Sequence, residues 1–142
     1  MRSINSTIAV ETNEKQRLFD LTSCVQQKLD SAGIQNGVIG IYSQHTTAAI
    51  FISESQAALT HDIMEFFTDA VSENYPYRHN SPEFSDCDRK NAASHLRALL
   101  LGQSVLIPVV EGKPMLGQFQ SVLFAEFDGP RKRALHVQIL GD

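Results

Sequence analysis

Gln118-Phe119-Gln120-Ser121-Val122-Leu123-Phe124-Ala125-Glu126-Phe127-Asp128, then Gly129-Pro130, then Ala134-Leu135-His136-Val137-Gln138-Ile139-Leu140, is the stretch on which the fold turns. Both runs are short and rich in β-branched or aromatic residues, and the Gly-Pro pair between them marks a turn, so the segment reads as two strands. Immediately upstream, Ser104 to Val110 and a Glu111-Gly112-Lys113-Pro114 turn add a further strand, with Pro108 placing it at an edge or a bulge. Working toward the N-terminus, Ile4, Ile8 and Val10 predict an opening strand, and Val38 to Tyr42 and Ala49 to Ile52 predict two more. Helices are expected in three places: after Asp20-Leu21-Thr22-Ser23, carrying Leu21, Val25 and Leu29 and stopping at Gly33; from about Ser55 to Ser72, with Leu59, Ile63, Phe66, Phe67 and Ala70 on one stripe; and from Asn91 to Leu101, with Ala92, Leu96 and Leu99 on one face. Tyr75 to about Lys90 fits neither period and forms an unusually long connection, of the kind that is mostly functional or disordered. With no repeat and no linker, the expectation is one compact α+β domain over residues 1–142, of mostly antiparallel strands with about three inserted helices.

Composition narrows the function. The 142 residues carry 12 Lys+Arg against 16 Asp+Glu, a formal charge of −4, which lacks the broad cationic footprint of nucleic-acid binding. No apolar run approaches the ~20 residues that span a bilayer, and no signal-like region opens the chain, so a cytoplasmic protein with neither membrane nor nucleic acid as partner is expected. Cys24 and Cys87 form no Cys-x-x-Cys pair and imply neither a disulfide framework nor a zinc ribbon.

Five histidines are the most informative polar residues. His45 lies beside Thr46 and Thr47, His79 in the long connection, and His95 on the third helix. None shows a spacing by which one helix or strand chelates a metal, so any metal site must be assembled from distant segments. His61 and Glu65 read as a solvated helix-face pair, and His136, alternating with Leu135 and Val137, as an exposed or interface residue. On the strand that opens this section, Gln118, Gln120 and Glu126 share a face with Val122 and Phe124. Polar groups on that face either line a pocket or meet a subunit or helix. The cations of Arg131-Lys132-Arg133 after the turn either hold a phosphate or end a solvated hairpin.

Several ordered segments, Gln44-His45-Thr46-Thr47-Ala48-Ala49, Tyr77-Arg78-His79, Asn91-Ala92-Ala93-Ser94-His95-Leu96, Leu116-Gly117-Gln118-Phe119-Gln120 and Glu126-Phe127-Asp128-Gly129-Pro130-Arg131, resemble the YjbQ-like family, also called the secondary thiamine-phosphate synthase family. The resemblance covers nearly the whole chain. It implies a homotrimer with a site near the subunit boundary, where His45, His79 and His95 match the family's motif histidines and hold a divalent metal, zinc or a similar transition metal, with magnesium as the alternative. It also implies a transferase activity: joining hydroxymethylpyrimidine diphosphate to thiazole phosphate and releasing pyrophosphate, with a small phosphorylated substrate. In that scheme Arg131, aided by Arg133, and the hydroxyls of Thr46 and Thr47 bind phosphate oxygens, Glu126 orients a ligand or accepts a proton, Gln120 lies nearby and Phe119 stacks on a ring. Phe119 stands where the family often has Trp, and Ala93 where many members have another histidine. Three imidazoles suit zinc better than a magnesium diphosphate, so a zinc-type hydrolase with Glu126 as base, and a trimeric binding module without catalysis, stand as alternatives.

Overall fold

Strict alternation of inward and outward residues decides the largest pairing. In β8 (Lys132–Gly141) the side chains of Arg133, Leu135, Val137 and Ile139 are buried while Lys132, Ala134, His136 and Gln138 face out. The first strand, β1 (Arg2–Glu11), pairs with it antiparallel over its full length, from Arg2 opposite Gly141 to Glu11 opposite Lys132. On the other side of β8 lies β3 (Gly37–Ser43), then β5 (Ser104–Val110), then the two-residue β6 (Lys113–Pro114), completing a five-stranded antiparallel sheet. Because β6 is so short, most of β5 is an edge, which is where Pro108 is tolerated. The computed structural model describes residues 1–142.

A second, three-stranded sheet has the order β2 (Arg17–Asp20), β7 (Ser121–Glu126), β4 (Ala48–Ser53). Its two faces explain the unbroken apolar run of β7. Ala48, Ile50, Val122 and Phe124 face the main core, which also takes Ile39, Ile41, Leu135, Val137 and Ile139 from the larger sheet and Val25 and Leu29 from helix α1 (Thr22–Ala32). Ala49, Ala125 and Phe127 belong to a second cluster under the two remaining helices, α2 (Ala57–Ala70) and α3 (Ala92–Leu101), with Phe67 and Ala98. A strand covered on both faces carries apolar residues on both. The α+β architecture of mostly antiparallel strands with three helices is therefore as the sequence predicts. No helix is long and apolar enough to cross a membrane.

Four local expectations need correction. Strand β2 is absent from the sequence reading; Arg17–Asp20 is short and half polar, and pairing to β7 forms it. At α1, Leu21 is a buried residue at the cap position, and Asp20 supplies the capping oxygen, its Oδ1 accepting from the Thr22 amide at 2.9 Å. Gly33 ends that helix as expected, at φ 67° with its amide donating to the Leu29 carbonyl. On α3 the buried residues are Ala92, Ala93, Ser94, Arg97 and Ala98, while Leu96, Leu99 and Leu100 are exposed. Small residues let the helix lie close on Ala49 and Ala125, and Arg97 turns inward to the C-terminal end of α2: its guanidinium donates to the carbonyls of Phe67 and Val71 and to Glu73. Finally, Gln118, Phe119 and Gln120 precede β7 and do not belong to it. Gln120 folds into a local turn in which its side-chain oxygen accepts from the Gly117 amide at 2.8 Å.

Candidate functional site

Two carboxylates at the end of β7 organise everything nearby. Glu126 faces the core between the two sheets and is fully buried. Its Oε1 accepts from the Thr12 hydroxyl at 2.7 Å and from Arg133 Nε at 2.9 Å, while its Oε2 accepts from Arg133 Nη2 and from the Asp128 amide. Arg133 is buried too, and its Nη2 also donates to the Thr47 hydroxyl at 2.9 Å. Burial alone would raise the Glu126 pKa, but the bonds from Arg133 and Thr12 hold it below the usual carboxylate value. A carboxylate whose oxygens are this fully engaged, without solvent access, is a strut between sheets. Glu126, Arg133 and Thr47, all expected at the site, are thus linked to one another inside the protein and line no part of the cleft that His79 and His95 form.

Asp128 is different. Two residues on, past the end of β7, it accepts from Arg89 Nε (2.9 Å) and Nη2 (3.0 Å), from Asn91 Nδ2 (2.8 Å) and from Arg131 Nη2 (2.9 Å). These bonds outweigh the upward push of burial and keep its pKa low, and the carboxylate in turn raises that of Arg89. The turn holding Asp128 depends on Gly129, where a β-carbon would lie 2.1 Å from the Glu14 carbonyl oxygen; Gly129-Pro130 is a cis bond. Arg131, one-third exposed, has a buried Nε–H without an acceptor.

From Asp128 the network runs into a cleft. Asn91 presents its Oδ1 to His79 Nε2 at 2.9 Å, and the His79 and His95 rings meet edge to face with centroids 5.0 Å apart. They line a cleft of about 380 Å³ together with Tyr77, Arg78, Ala92 and Leu96. The 75–90 connection is ordered around it, with its turn at Arg78–Asn80 and Asn80 Oδ1 accepting from the first amide of α3 at 3.0 Å. His95 has a pKa lowered by burial and by the neighbouring His79, and it also feels the charge of Arg131. His45 has its pKa lowered by burial and by the charge of Arg133, with a smaller contribution from Arg131. Its Nε2 is taken up by the main chain of Ala134, 3.1 Å from the amide nitrogen. Arg89 and Asn91 were missed by the sequence reading, although Asn91 begins one of the motifs that carry the resemblance.

Of the expected site residues, then, His79 and His95 line the cleft, while Arg131 and His45 do not, although the charge of Arg131 acts on both His95 and His45. Thr46 contributes a backbone contact to His95 and is itself exposed. Phe119, 65% exposed, and Gln120 line no part of the cleft. The three expected metal ligands do not converge within the chain. The only three side chains whose ligating atoms lie within 4.8 Å of one another are His61, Asp62 and Glu65, on the exposed face of α2. The cleft itself is lined by two imidazoles, and within the single chain no third ligating group converges on them.

Residues 6–142 match the family model described as UPF0047 protein YjbQ-like. The chain belongs to the YjbQ-like UPF0047 family. A UPF0047 protein of Methanothermobacter thermautotrophicus is 40% identical over 99% of this chain and 94% of its own, and YugU of Bacillus subtilis is 31% identical over 95% and 98%. Among solved structures, a protein of unknown function from Sulfolobus solfataricus superposes with a TM-score of 0.91 at 34% identity, covering 99% of each chain, and a hypothetical protein from Aeropyrum pernix with 0.89 at 34% identity, covering 98% of this chain and 99% of its own. The UPF0047 fold is thus shared over the full span in which His45, His79, His95, Asp128 and Arg131 lie.

Proposed function

We propose that the cleft of His79 and His95, with Arg131 at its side, binds the phosphate of a small phosphorylated substrate in the cytoplasm, and that the protein is a transferase forming thiamine phosphate from hydroxymethylpyrimidine diphosphate and thiazole phosphate. The observation that carries this reading is Arg131: Asp128 pins one end of its guanidinium while Nε–H lacks an acceptor, the state of a cation prepared for an anion. Its charge stabilises the departing diphosphate, and His95 donates a ring N–H to the same group. The chemistry as written needs charge neutralisation and orientation. A zinc-type hydrolase with Glu126 as base has no support in the enclosed position of that residue. The homotrimer fits the exposure of Phe66 (64%), Leu99 (67%) and Leu100 (58%), apolar side chains on two neighbouring helices that a second copy would cover.

The experiment supplies both substrates and magnesium to the purified protein and measures pyrophosphate and thiamine phosphate together. Wild type is expected to form them in equal amounts, and Arg131→Ala to lose at least tenfold in rate with an unchanged circular dichroism spectrum. No product from wild type, or full turnover by the variant, ends this reading.

A further inference from the structure

The amide of Asn91 has only one orientation that suits its neighbours. Asp128 is ionised and accepts only, so the group 2.8 Å from its Oδ2 is the Asn91 NH₂. That fixes Oδ1 on the other side, toward His79 Nε2 at 2.9 Å and the Cys87 thiol at 3.8 Å. An amide oxygen has no hydrogen to give. The ring nitrogen facing it must therefore be the protonated one, and in a neutral imidazole the lone pair then falls on Nδ1, which has no protein partner. Asn91 is buried and its side chain does not cap α3, so the bond to His79 is not incidental to helix capping.

We infer that Asn91 is a positioning residue that carries the charge of Asp128 to the histidine cleft, fixing His79 with its proton on Nε2 and its Nδ1 as a hydrogen-bond acceptor for a ligand N–H or O–H group. The use of that acceptor by a phosphorylated substrate rests on the transferase proposal; the tautomer itself does not. The arrangement divides labour in the cleft. Arg131 supplies a donor for anionic oxygen, and His79 supplies an acceptor for a hydroxyl or amine, so the ligand that satisfies both carries an anion and a donor group. Asp128 serves both arms, through Nη2 of Arg131 and through Nδ2 of Asn91.

Nitrogen-15 spectra of protein labelled at histidine test this without substrate, at a pH where the ring is neutral, with the His79 signals assigned by their absence from His79→Gln. Wild type is expected to show Nε2 as the protonated nitrogen, Nδ1 as the bare one, and a ring N–H proton protected enough from exchange to be observed. In Asn91→Ala that proton signal should vanish and the nitrogen shifts move toward a mixture of tautomers. Asn91→Asp leaves an acceptor opposite the ring and is expected to keep the proton on Nε2. A wild-type ring protonated on Nδ1 overturns the inference, as does an Asn91→Ala spectrum identical to wild type. Should the alanine variant fail to fold, the wild-type and aspartate spectra still decide. Because no turnover is read, an inactive protein would end the transferase reading while leaving this result intact.

Discussion

Glu126 and Asp128 stand two residues apart on one chain segment, both ionised, both bonded to arginine, and they do opposite things. Glu126 meets a single buried arginine, the Thr12 hydroxyl and the Asp128 amide, and all of its partners are inside the protein. Asp128 meets Arg89, Arg131 and Asn91, of which the two arginines are partly exposed and the asparagine leads to His79. The first carboxylate joins two sheets; the second distributes one negative charge among groups that border a cleft. What separates them is the exposure of their partners, since the two carboxylates themselves are nearly equally buried.

The comparison breaks most readily at Glu126. Removing one partner of a buried ion pair leaves the other uncompensated, so Glu126→Gln is expected to cost about 3–5 kcal/mol in urea unfolding. Its folded pKa is depressed, so its contribution is present above the ordinary value of 4.5 and is lost as pH falls through the folded value. The variant's stability should accordingly fall less steeply than that of wild type on acidification below pH 4.5. A loss under 1 kcal/mol, or parallel pH curves, would show that the pair is not a strut.

Asp128→Asn sharpens the contrast. Its arginine partners reach water and can be rehydrated, so the stability loss should be smaller, about 1.5–3 kcal/mol for hydrogen bonds to a charged group. The cost in function should be larger, because Arg131 loses its anchor. Inorganic phosphate titrated by calorimetry is expected to bind at least fivefold more weakly; unchanged binding would detach Asp128 from the site. The smallest effect belongs to Phe119, expected from its sequence motif to stack on substrate yet exposed and outside the cleft. Phe119→Ala should alter both stability, by less than about 0.5 kcal/mol, and phosphate affinity hardly at all. A marked loss of affinity would place Phe119 in a site completed by another subunit.

Much of this was legible before any coordinates. Alternation and turn residues give six of the eight strands and the places of three helices, because each signal there is local; the two-residue β6, Lys113–Pro114, lies in the stretch read as a turn. The longer of the two unread strands, Arg17–Asp20, is made by its partner and has no pattern of its own. The inward face of α3 was misread because Leu96 and Leu99 outweigh alanine on any scale of apolarity, while close packing on Ala49 and Ala125 favours the smaller side chains. At the site, the histidines and Arg131 could be picked out by type, but not the convergence of His79 with His95, which depends on the path of the 75–90 connection. One signal was only half used: Glu126 keeps step with Val122 and Phe124, as the sequence shows, but Arg133 also keeps step with Leu135, Val137 and Ile139. The same period that places apolar residues in the core places these two charges there, facing each other.

The ladder between residues 2–11 and 132–141 also sets an order in time. Its first strand has no partner on its outer side and can pair only with a segment made more than a hundred residues later. Until then those ten residues of alternating apolar character wait with both edges open. Long-range pairings of this kind close slowly, because the chain entropy is lost before the contacts are gained. A ribosome making this protein therefore holds an unpaired strand until residues 132–141 have been made, and β8 is the strand that joins the first strand to the third.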